Sequence, residues 1–133
     1  MNATTAFELY KKTRTSTAVE DASPHKLITM LLDGALERVA ISIGAMERKQ
    51  PGLTGESISK AISIVVNLRV AVDHDAGGEI AGNLHDLYDY ITRRLLEANI
   101  MSDVSMLEEV SALLTEIKLA WNQVPKDLHS VTE

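Results

Sequence analysis

GGEIAGNLHDLYDYITRRLLEANI, residues 77–100, keeps one apolar stripe along its length: Ile80, Leu84, Leu87, Tyr88, Ile91, Leu95 and Ala98. Steps of three and four bring these side chains back to one side of a helix, because an α-helix turns by about 100° per residue. Asp86, Asp89, Arg93 and Glu97 fall on the opposite side. The glycine pair in front suits a sharp turn, since glycine takes backbone conformations closed to other residues. The apolar face carries no catalytic group, so the segment reads as a packing device.

Working outward, three more segments share this period. Ser23 is a good N-cap and Pro24 sits where a missing N–H costs nothing. The pattern runs from Leu27 to Met46, ends in the cations Arg48 and Lys49, and is expected to stop at Pro51-Gly52. A second helix is expected from Thr54 or Ser57 to about Val72, followed by a loop over Asp73 to Gly78. The third runs from about Glu79 to Asn99. Ser102 is the expected cap of a fourth, with Asp103 in its first turn and Met106, Leu107, Val110, Leu113, Leu114, Ile117 and Trp121 on one side; it stops before Pro125. Four helices on short connections predict an all-α fold, an antiparallel up-down four-helix bundle with a short N-terminal helical segment. That segment is an island, Phe7, Leu9 and Tyr10, in a polar arm over 1–22. The bundle is expected over 23–124 and a polar, fraying tail over 125–133.

Composition narrows the function. The chain has 133 residues, 45% hydrophobic but only 4% aromatic, which fits one domain with a Leu/Ile/Val/Ala core. Cysteine is absent, which removes disulfides, thiolate zinc sites and a cysteine nucleophile. A net charge of −6 argues against nucleic acid as a partner, since phosphate binding needs a concentrated positive face. The start of the chain lacks an apolar signal core and no later run reaches membrane-span length, so a soluble, cytoplasmic protein without membrane insertion is expected. His25, His74, His85 and His129 form neither HExxH nor paired ExxH, so no metal and no cofactor is expected. His25, in the first turn of a helix, is expected to be solvated. His85 and Asp89 read as a surface ion pair. The rival reading, a histidine phosphotransfer domain, lacks the Lys-Gly that usually follows the phosphoacceptor; Asp86-Leu87-Tyr88 stands there instead. Enzymatic activity is therefore not expected.

The first two helices carry more apolar surface than one bundle interior consumes. Beside its main face the first has a second stripe, Leu27, Met30, Gly34, Ile41 and Ala45. The second helix adds Ile64, Val66, Val70 and Ala71 to its main face. About 500 Å² of such surface left wet would forgo about 12 kcal/mol at about 25 cal/mol per Å², as much as a typical net stability. Either this helix sits centrally among neighbours or a partner covers the surplus. On the second reading Leu27, Met30, Ile41, Val66 and Val70 are the partner-facing candidates.

Two blocks carry a family resemblance. Residues 22–35, ASPHKLITMLLDGA, resemble the ASPxxLIxMLYDGA signature of the flagellin export chaperones, the FliS family, and residues 77–100 are similar to its GGEIAxNLxxLYDYMxRRLxxAN block. Residues 103–121 resemble its closing helix. Leu32 departs from the pattern, standing where the family usually has an aromatic residue. The resemblance implies a helical bundle that binds the disordered C-terminal segment of new flagellin in the cytoplasm. It further implies that the bundle prevents premature polymerisation and delivers its client to a component of the flagellar type III export gate. It places Phe7 and Tyr10 in an N-terminal segment that lies on the bundle and rearranges when the client binds. A helical adaptor for another client stays open, as does whether the free chain is a monomer or a homodimer.

Overall fold

The computed structural model describes residues 23–72 and 74–124. The N-terminal arm with Phe7 and Tyr10, its expected short helix, and the 125–133 tail lie outside these residues. Four helices account for the described chain: α1 (Pro24–Glu47), α2 (Pro51–Val70), α3 (His74–Met101) and α4 (Val104–Asn122). Helices α1 and α3 each pack between α2 and α4, with α4 lying more on α1 than on α3, which gives an up-down four-helix ring. No strand occurs among the described residues.

The termini follow from local chemistry. Ser23 is the N-cap of α1, its Oγ accepting from Lys26 N at 3.2 Å. At the far end of α1, Gln50 N donates to Ala45 O at 2.9 Å around Lys49, which has φ 58°. The α3–α4 turn repeats this: Asp103 N donates to Ala98 O at 3.1 Å around Ser102, at φ 51°. Both are the left-handed helix stop that glycine usually fills. These stops turn the chain in two or three residues and make the neighbouring helices antiparallel.

Three boundaries differ from expectation. Pro51 opens α2 instead of only ending α1, with Gln50 as the residue before it; proline's fixed φ suits a first helical position. Asp103, not Ser102, caps α4, its carboxylate accepting from Ser105 N at 2.9 Å and Ser105 Oγ at 2.6 Å. Helix α3 begins at His74, where a loop was expected, and is broken at Gly78, with φ 55° and ψ −130°. The long regular helix starts only after that break.

The core fills the ring. Leu31, Leu32 and Val39 of α1 meet Ile58, Val65 and Leu68 of α2, Ile91 and Leu95 of α3, and Leu107 and Leu114 of α4. Buried polar side chains are satisfied locally: Ser42 Oγ donates to Arg38 O and Thr54 Oγ1 to Gln50 O, each at 2.8 Å. Polar links tie neighbouring helices from outside: Arg69 to Asp89 at 3.0 Å between α2 and α3, Lys118 to Asp33 between α4 and α1, and Arg94 to Glu109 at 2.8 Å between α3 and α4. Such exposed pairs add little stability each, so they fix which helix faces meet more than they hold the fold.

Candidate partner-binding site

The bundle has an open end. Where α1 and α3 begin and α2 and α4 finish, an apolar pocket of about 430 Å³ enters the ring. Ile28, Val72, Leu84, Leu87 and Trp121 form much of its wall, Tyr88 lines it from α3, and Asn83 and Glu116 are the polar residues at its edge. The volume falls in the range of ligand-binding clefts.

One wall is clasped in place. Trp121 Nε1–H donates to His25 O at 3.1 Å, and His25 Nε2 donates back to Trp121 O at 3.3 Å in the tautomer that carries its proton there. The two rings stack at 4.7 Å and 19°. His25 is thus half-buried against the last turn of α4, not solvated as expected. The clasp joins the first turn of α1 to the last turn of α4 at the pocket's mouth.

Tyr88 is the deep polar group. Its side chain is 2% exposed. Burial pushes the phenol far above its usual pKa, so it stays a neutral donor across the physiological range. Its hydroxyl has no hydrogen-bond partner among the described residues, yet no fully enclosed side-chain N or O atom is left unpaired. The hydroxyl is therefore not fully enclosed, on a side chain that lines the pocket. Tyr90, two positions on, differs: its hydroxyl donates to Glu109 at 2.7 Å on the outside of the bundle.

Leu27, Met30, Ile41, Val66 and Val70, the partner-facing residues read from the sequence that the structure describes, are not among the residues lining this pocket. Leu27 is 5% exposed, so little of it is open to a partner in this state. Met30 and Ile41 are half-buried on α1, whose neighbours in the ring are α2 and α4. Val66 and Val70 are half-buried on α2, on either side of Arg69, which pairs with Asp89 of α3. The two pairs lie on two helices that pack against each other. Phe7 and Tyr10 lie outside the described residues.

Two features escaped the sequence reading. The pocket walls Leu84, Leu87 and Trp121 read as ordinary core. A second apolar area lies at the opposite end of the bundle, where Leu96, Ile100 and Met101 near the end of α3 are exposed, Ile100 by 80%. Its signal was available, since Leu96 and Ile100 fall off the α3 stripe. His85 stands 3.6 Å from Asp86 instead of pairing with Asp89, whose carboxylate meets Arg69 and Arg93. Among the described residues no group of acidic, His or Cys side chains could hold a metal ion, and no helix is long and apolar enough to cross a membrane.

Fold and site together define an all-helical binding module with an apolar pocket at one end. A family model described as flagellar protein FliS matches residues 6–128. The flagellar secretion chaperone FliSB of Pseudomonas aeruginosa is 48% identical over 124 residues, 93% of this chain and 98% of the relative. The flagellar secretion chaperone FliS of Salmonella typhimurium is 42% identical over 125 residues, 93% of each chain, and that of Vibrio cholerae 37% over 127 residues, 96% of this chain and 93% of the relative. The chain belongs to the FliS family. It is a flagellar export chaperone, not an enzyme.

Proposed function

We propose that the chain binds the disordered C-terminal segment of flagellin in the cytoplasm, keeps it from polymerising early, and carries it to a component of the flagellar type III export gate. The apolar pocket at the open end carries this reading. A disordered client has no core of its own to bury its apolar side chains, and an apolar pocket in a rigid bundle supplies one. The half-buried strips at Met30 and Ile41 and at Val66 and Val70 extend the contact along the bundle. Several shallow strips and one deep pocket suit a client that wraps, because each short segment then adds a modest affinity. Phe7 and Tyr10 act in this scheme as a clamp that leaves a resting position on the bundle when the client arrives. Calorimetric titration of the full chain with the flagellin C-terminal segment tests binding, and light scattering of flagellin with and without the chain tests the block on polymerisation. Saturable binding with suppressed filament growth is expected. No heat of binding, with filaments growing at the unassisted rate, would refute the proposal.

A further inference from the structure

The pocket's chemistry is uneven in an informative way. Its walls are apolar, its edge carries the carboxylate of Glu116, and among the described residues no Lys, Arg or His lines it. In the clasp at the mouth, Trp121 Nε1 is already committed to His25 O at 3.1 Å. Asn83, an amide donor, sits exposed at the edge. Tyr88, 2% exposed, is the donor-bearing side chain set deep in the lining, and its hydroxyl is not fully enclosed and has no hydrogen-bond partner among the described residues. Folding gains nothing from a hydroxyl held this way, and a phenylalanine would fill the same space without it. A donor with no protein acceptor among the described residues, on a buried side chain that lines a binding pocket, points to an acceptor on what enters.

The acceptor's class follows from the charges. An anionic head group, such as a fatty acid's carboxylate, would find no cation among the described lining residues and would face Glu116. A neutral carbonyl meets neither objection. A peptide brings one carbonyl per residue, and the last four carbonyls of a docked helix have no partner within that helix. We propose that Tyr88 is a specificity-determining residue of the client site, its hydroxyl donating a hydrogen bond to a main-chain carbonyl of the apolar flagellin segment that fills the pocket. This rests on the flagellin reading above. The hydroxyl penalises segments that fill the pocket with side chains alone, because they would bury it unpaired.

Tyr88→Phe in the full chain is the test, with thermal unfolding and calorimetric titration against the flagellin C-terminal segment read together. The expected result has opposite signs: an unchanged or raised Tm and an affinity about three- to tenfold weaker. A purely structural hydroxyl would lower both. Affinity within twofold of the parent, or a Tm that falls along with affinity, overturns the proposal while leaving flagellin binding intact. Absence of binding by the parent chain sinks the flagellin reading and this one with it. Laurate is the counter-probe and should not displace the peptide; displacement by laurate that is lost in Tyr88→Phe would assign the hydroxyl to a carboxylate ligand instead and overturn the carbonyl assignment.

Discussion

Gly78 and Gly82 lie four positions apart in α3, and the same change to alanine should act in opposite directions at the two. At Gly78 the backbone has φ 55° and ψ −130°, and a Cβ built there meets nothing within 4 Å. The cost of Gly78→Ala is therefore purely backbone, about 1–3 kcal/mol for holding a side-chain-bearing residue in a region that is nearly glycine-only. At Gly82 a Cβ likewise meets nothing within 4 Å. The helix there is regular, however, and alanine loses less chain entropy on folding. Gly82→Ala should stabilise by about 0.5–1 kcal/mol. For a chain of this size 1 kcal/mol moves Tm by about 3–5 °C. Thermal unfolding followed by circular dichroism should then show Gly82→Ala about 2–5 °C above the parent and Gly78→Ala about 3–15 °C below it. The Gly78 break also sets how the chain enters α3 between Val72 and Leu84, both pocket residues, so Gly78→Ala should weaken client binding and Gly82→Ala should not. Shifts of the same sign, or a Gly78→Ala melt that overlays the parent's, would show that the break is not a fixed feature of the fold.

Lys49 and Ser102 hold left-handed helix stops at φ 58° and 51° without glycine; Lys49→Gly and Ser102→Gly should each raise stability by about 0.5–1 kcal/mol in urea unfolding, the relieved strain outweighing the added freedom of the unfolded chain. Glu109 accepts from Tyr90 Oη and Arg94 Nε at 2.7 and 2.8 Å, which holds its carboxyl below the usual glutamate range. Its contribution is present above about pH 4.3, the unfolded value, and is lost as pH falls through the lower folded value; Glu109→Gln should flatten the acid side of a Tm-against-pH curve, and an unchanged slope would remove this group from the acid response. Ile41→Asp should weaken flagellin binding about tenfold or more with a small fall in Tm, whereas an unfolded variant would assign Ile41 to the core. Tyr10→Ala should weaken binding by about tenfold, the worth of one buried aromatic ring, with helicity retained; unchanged or tighter affinity would remove Tyr10 from the site.

What could be read in the sequence was whatever repeats along it. A helix writes its buried face into the chain every three or four positions, so Ile91, Leu95 and Ala98 are legible as core without a structure, and the structure buries all three. The caps are local too, which is why Ser23 was readable. Pro51 misled because proline's fixed φ serves equally after one helix and at the start of the next. His25 misled for another reason: its partner Trp121 is 96 positions away, and no local pattern encodes that contact. The pocket belongs to this second kind. Leu84 and Leu87 carry the same periodic signature as Ile91 and Leu95, yet the first two line a cavity and the last two are sealed. The difference is only their distance from the open end, which four helix termini define together.

Part of the extra apolar stripes is core, since Leu27, Ala45 and Ala71 are buried, and which neighbour each remaining residue faces was not legible. Val66 and Val70 flank Arg69, whose bridge to Asp89 of α3 sets that side of α2, while Met30 and Ile41 ride on α1. One helix's period cannot say which neighbour stands beside each flank. Tyr88 shows the limit most sharply. In an apolar stripe tyrosine and phenylalanine serve alike, so the periodicity that builds α3 is indifferent to the hydroxyl. Only the cavity beside it gives that one oxygen a consequence. The group argued here to select the client is thus hidden within the pattern that forms the helix, and one atom removed by Tyr88→Phe separates the two roles.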